Sequence, residues 1–165
     1  MNNDKAALRR YEDDLNVGGL GVVILGAWDV LKVIMLLITE IKDEISLEEF
    51  AGEEKAIAVG VIIVIVAMFL LMVFLIFKIH LYIGLNASKA AKGEDYKKGY
   101  YTGAIILLVI SVLSIFAYIY DLKDLQNIDT TIASFIVELT TIYVLWIVIS
   151  NTRKIKNIKS LQAQE

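Results

Sequence analysis

The sequence predicts an all-α integral membrane protein, a four-helix bundle with its N and C termini on the cytoplasmic side. Three observations predict it. Hydrophobic residues make up 58% of the 165 positions and mean hydropathy is +0.66, well above the roughly 45–50% apolar usage of soluble domains. Four apolar runs each reach the length of about 20 residues that a helix rising about 1.5 Å per residue needs to cross a core of about 30 Å. Lysine and arginine collect in alternate flanks of those runs, as the retention of positive charge in the cytoplasm requires.

The first span runs from about Val17 to Ile41. It follows a segment of mixed charge, MNNDKAALRRYEDDLN, and carries Asp29 and Lys32 with no small-residue cleavage site, so it reads as a retained helix rather than a signal peptide. The second span, about Ala56 to Tyr82, has no charged residue between Ala56 and Phe77. The third runs from about Tyr100 to Tyr120 and the fourth from about Thr130 to Asn151. The chain is thus expected to form one domain over 1–165, ending in a basic amphipathic tail at 152–165.

Orientation comes from the flanks. Lys5, Arg9, Arg10, Lys89, Lys92, Lys97, Lys98, Arg153, Lys154, Lys156 and Lys159 fall on one side, against Lys42, Lys55 and Lys123 on the other. That distribution sets the termini and the connection between the second and third spans inside. In the tail, Ile155, Ile158 and Leu161 fall along one side with Arg153, Lys154, Lys156 and Lys159 between them, the pattern of the fourth helix running on along an anionic leaflet. The loop after the first span contains Ser46-x-x-Glu49, a capping pattern for a short helix that would set Ile45, Leu47 and Phe50 against the membrane surface. Its acids read as a solvated face, because the spaced oxygen ligands of a calcium loop are missing.

Composition also excludes functions. A formal net charge of −3 offers no basic surplus for nucleic acid. The absence of cysteine removes disulfides, thiolate metal sites and cysteine nucleophiles, and the absence of proline removes one device that breaks transporter helices. The sequence holds no His-Glu-x-x-His metal motif and no glycine-rich phosphate loop, so neither a metal, a cofactor nor a catalytic residue is expected. A lipid-modifying enzyme using Asp29 and Glu138 as acid and base is a lesser alternative.

The residues that carry chemistry are the polar ones inside the spans. A charge at mid-bilayer costs about 2.5–3.5 kcal/mol on the insertion scale, whereas each large aliphatic residue returns only about 0.3–0.6. Asp29, Lys32 and Glu138 are therefore expected to face protein or water. Thr131, Ser134, Glu138 and Thr141 recur at helical spacing on the fourth span, as Ser111, Ser114, Tyr118 and Asp121 do on the third. Together with Asp29, Lys32 and Thr39 they would line an outward-opening recess that binds, or helps transport, a small cationic or amine-bearing molecule. Tyr118, Ser114 and Thr141 would donate hydrogen bonds there. Each hydroxyl taken alone is more ordinarily packing glue. The alternative reading is a structural or regulatory subunit whose intramembrane charges assemble it with another membrane protein or with itself. Small residues in the opposite half, Gly18, Gly19, Gly21, Gly84, Ala87, Ser88, Ala91, Gly99 and Gly103, predict tight helix contacts. Trp28, Trp146, Tyr100 and Tyr101 read as interfacial or core aromatics, and His80 beside Lys78 as a side chain snorkelling to the interface. A bacterial inner membrane is the expected location.

Overall fold

The computed structural model describes residues 2–44, 53–121, 128–162 and 164. It is all-helical, with α1 at Asn2–Glu44, α2 at Glu53–Lys92, α3 at Gly99–Asp121 and α4 at Ile128–Gln162. Each helix contains a stretch long and apolar enough to cross a membrane. This is the architecture of a multi-pass membrane protein. The short helix expected around Ser46–Glu49 lies outside the described residues, as do the side chains of Thr39, Asp121 and Thr131.

Three helices are longer than the spans. At 43 residues, α1 is about 65 Å long, roughly twice the hydrocarbon thickness. Hydropathy reports only the part of a helix that meets lipid, whereas backbone hydrogen bonding continues through polar residues that propagate a helix well, such as the Lys, Arg and Glu of the first 14 positions. At the far end of α2 the chain stops in a Schellman turn. Gly93 adopts φ +72°, the Glu94 N–H donates to the Lys89 carbonyl at 3.0 Å and the Gly93 N–H to the Ala90 carbonyl at 3.3 Å. Lys89 and Lys92 in that last turn complement the helix dipole.

The chain divides into two compact units, residues 1–25 with 80–165 and residues 26–79. In the first unit the start of α1, the end of α2 and all of α3 and α4 pack as an up-and-down bundle. Asn16 meets Ser88 and Gly19 meets Gly84, so α1 and α2 run antiparallel. Asn86 accepts from the Lys97 N–H at 2.8 Å and Ile83 packs at Gly103, which joins α2 to α3. Tyr100 reaches Thr152, which joins α3 to α4. Gly18 lies against Val148, Gly21 against Val144 and Glu12 against Lys159, which closes the ring between α4 and α1.

The core of this unit is built from Leu15, Val22, Ile83, Ala87, Tyr100, Ala104, Leu145, Val148 and Ile155. Small residues set its tightest crossing. A methyl group added to Gly19 would stand 2.6 Å from the Gly84 carbonyl oxygen and 2.9 Å from the Ser88 nitrogen. Only a residue without Cβ lets the two backbones approach this closely.

The fourth helix runs on through the basic tail, as its pattern predicts, and α4 continues unbroken through Gln162. Two details differ from expectation. Ile155 is buried in the bundle core and does not face a leaflet, the Lys154 ammonium lies 4.8 Å from the Tyr11 ring centre and Lys159 pairs with Glu12 at 3.0 Å. The extended start of α1 offers these residues protein partners. His80 is only 3% exposed, so it sits inside the bundle and does not snorkel. The side chain that remains exposed beside it is Lys78, which lies in the second unit 5.8 Å from the Phe74 ring centre.

The second unit, from Gly26 to Ile79, is lined by apolar side chains that stay on the surface. Ile57, Val61, Ile63, Val64, Ile65, Met68, Leu70, Leu71, Phe74 and Leu75 are all exposed. They point around the whole circumference of the helix, as expected for a helix that is apolar on every side.

Candidate functional site: a polar ladder between α3 and α4

Within the bundle unit, α3 and α4 are built inside out relative to water-soluble helices. Ser111 and Thr141 are each 4% exposed, and Ser114, Tyr118, Ser134 and Glu138 are half-buried. The apolar residues interleaved with them face outward, with Leu113 62% exposed, Phe116 66% and Ile136 58%. This polarity is what hydrocarbon selects: the apolar face meets lipid, and groups whose transfer there would cost energy are turned inward.

The Tyr100–Thr152 contact aligns the start of α3 with the end of α4 to within about one helical turn, the reach of a tyrosine side chain. Thr152 Oγ1 donates to the Val148 carbonyl at 2.6 Å, so the Tyr100 hydroxyl, 3.0 Å away, donates to Thr152. Because the helices are antiparallel and rise equally, equal steps along both from that contact pair further levels. To that precision Ser111 falls near the level of Thr141, Ser114 near Glu138, and Tyr118 near Ser134. The two stripes thus run alongside one another as a ladder, with Glu138 near its middle.

The hydroxyls on the ladder are already donors to their own helices. Ser114 Oγ donates to the Ile110 carbonyl at 3.1 Å and Thr141 Oγ1 to the Val137 carbonyl at 3.0 Å. The expectation that these two donate to a ligand is therefore revised: their protons are engaged, and their oxygen lone pairs remain as acceptors. An acceptor-rich face with one carboxylate suits a group that donates hydrogen bonds and carries positive charge.

Asp29 and Lys32 belong to the second unit, and both are half-buried there. Their i, i+3 spacing on α1 puts them on one helix face, and the flanking Trp28, Leu31 and Met35 are exposed. The lysines and arginine expected to touch lipid, Arg153, Lys154, Lys156 and Lys159, are all exposed, and Lys154 and Lys159 also engage α1.

Sequence reasoning passed over a second polar layer, in the end of the bundle that holds both chain ends. Ser88 Oγ donates to Asn16 Oδ1 at 2.6 Å, Asn151 is 5% exposed, and Tyr100 bonds Thr152. Asparagine at a span boundary looks like a flank in sequence. Only the register between helices shows that Asn16 faces Ser88.

No family model, curated protein or solved structure matches the chain.

Proposed function

We propose that this is a small protein of a bacterial inner membrane, with both termini cytoplasmic, that uses the α3–α4 ladder to bind, or help transport, a small cationic or amine-bearing molecule. The observation that supports this reading is the burial of the polar stripes, with Ser111 and Thr141 buried and Ser114, Tyr118, Ser134 and Glu138 half-buried on α3 and α4. An acidic side chain at that depth in a span is a place where a cationic group can be recognised. Ser111, Ser114, Ser134 and Thr141 supply neutral oxygens around it, and Tyr118 closes one end. Binding rather than chemistry is the proposed task, since the sequence provides no nucleophile or metal motif beside the acid.

The test is Glu138→Gln in the purified full chain, titrated with benzylamine and with the fluorescent cation ethidium. The variant should elute as a single species with unchanged helical circular dichroism and bind both probes at least about tenfold more weakly, as expected for loss of a charge-assisted hydrogen bond. Equal binding by the variant would refute the assignment.

One observation favours a second reading, assembly with another membrane protein or a second copy. The α2 surface around Gly60 is open, with nothing within 4 Å of where a Cβ would stand, and its neighbours Ile57, Val61 and Val64 are exposed. Small residues at such a place admit close helix contacts. Under this reading Glu138→Gln leaves cation binding unchanged, and Gly60→Leu shifts the oligomer distribution.

A further inference from the structure

A cleft of about 250 Å³ opens in the bundle unit between the start of α1 and the end of α2. It is lined by Arg9, Glu12, Asp13, Asn16, Ala91 and Lys92. Its walls carry both signs of charge, and parts of them are fixed in place. Glu12 is held by Lys159 at 3.0 Å, Asn16 by Ser88 at 2.6 Å, and Lys92 lies in the turn locked by Gly93. Ala91 is buried and forms the floor. Asn16 uses its oxygen on Ser88, which leaves its amide NH2 as a donor at the cleft wall.

The helix face continues past the cleft with a change of character. Arg9, Asp13, Val17, Leu20 and Ile24 follow steps of four, four, three and four, so they share one stripe of α1. Val17, Leu20 and Ile24 are exposed and apolar, and Leu85 on α2 is exposed as well. A charged cleft therefore opens at the point where an apolar stripe enters the membrane.

We infer that this cleft binds the headgroup of an amine-bearing phospholipid, with the phosphate between Arg9 and Lys92, the ammonium against Asp13, and an acyl chain along Val17, Leu20 and Ile24. Charge complementarity selects this occupant. A purely anionic headgroup would meet Asp13 and Glu12, and a quaternary ammonium could not donate hydrogen bonds to the carboxylates. The inference is independent of the α3–α4 ladder and requires only that the chain span a membrane.

Native mass spectrometry of the full chain in detergent, with equal amounts of phosphatidylethanolamine, phosphatidylglycerol and phosphatidylcholine, tests it. Phosphatidylethanolamine should be retained most strongly, with retention falling about tenfold in Arg9→Gln and in Asp13→Asn, the loss expected for one charge-assisted bond. It should be unchanged in Lys97→Gln. Both cleft positions are exposed, so circular dichroism should show unchanged helicity. Equal retention of the three lipids, preference for phosphatidylglycerol, or indifference to Arg9→Gln and Asp13→Asn would overturn the proposal. Free phosphoethanolamine competing as well as the lipid would overturn the role given to the apolar stripe.

Discussion

The two ends of α2 obey opposite packing rules. From His80 to Lys92 the helix is built around small residues, and Gly84, Ala87, Ser88, Ala90 and Ala91 are all buried. From Ala56 to Ile79 it is richer in isoleucine, valine, leucine and phenylalanine, yet Val73 is its one buried side chain among the described residues. In water the second stretch would be the core and the first a weak helix. In a membrane the ranking inverts, because lipid solvates large aliphatic side chains as well as a protein interior does and leaves close backbone approach as the source of helix association. Hydrophobicity here measures insertion, and small size measures packing.

That contrast can be broken by adding bulk to the packed end. In Gly84→Leu, the new Cβ would meet the Gly19 carbonyl oxygen and the Val23 side chain, and backbone cannot yield as a flexible side chain can. Overpacking of this kind costs about 3 kcal/mol. Thermal unfolding of the variant in detergent should fall by far more than for any substitution in the other half of the helix.

A smaller effect sharpens it. Asn16→Ala removes the acceptor of the Ser88 hydroxyl and should lower stability by about 1 kcal/mol, between the values for buried hydrogen bonds in soluble and membrane proteins. Pairing it with Ser88→Ala in a double-mutant cycle isolates the interaction, and a coupling near zero would show that the two side chains do not depend on each other.

The smallest effect belongs to the exposed end. Met68→Ala and Leu71→Ala, at side chains 68% and 60% exposed, should each change stability in detergent by no more than about 0.5 kcal/mol. A loss as large as that of Gly84→Leu would mean that this surface is covered by a partner, and would favour the assembly reading.

How much of this is written in the sequence depends on the scale of the signal. The uncharged run Ala56–Phe77 declares its helix by composition, and the steps of three and four in Ser111, Ser114, Tyr118 and in Ser134, Glu138, Thr141 declare their faces, because both are properties of one helix. What the end of α4 packs against is not legible. Ile155 and Ile158 among lysines announce a helix that runs on along a surface, and only the presence of Leu8, Tyr11 and Glu12 alongside shows that it enters a packed pair. His80 was misplaced for a related reason. Its distance from the span's end suggested the interface, whereas its burial depends on which face of α2 turns toward the bundle. The levels of the ladder lie between these cases. Periodicity shows that each stripe exists, and the Tyr100–Thr152 contact is needed to align one with the other.

The alignment of the two stripes is the claim on which the proposed function rests, and it can be measured directly. The natural chain contains no cysteine, so pairs introduced at chosen positions report only on each other. Ser114→Cys with Glu138→Cys should cross-link readily under mild oxidation in membranes, while Leu113→Cys with Leu139→Cys, at outward-facing positions, should not. Efficient cross-linking of the outward pair and none of the inward pair would contradict the ladder and the binding role assigned to it.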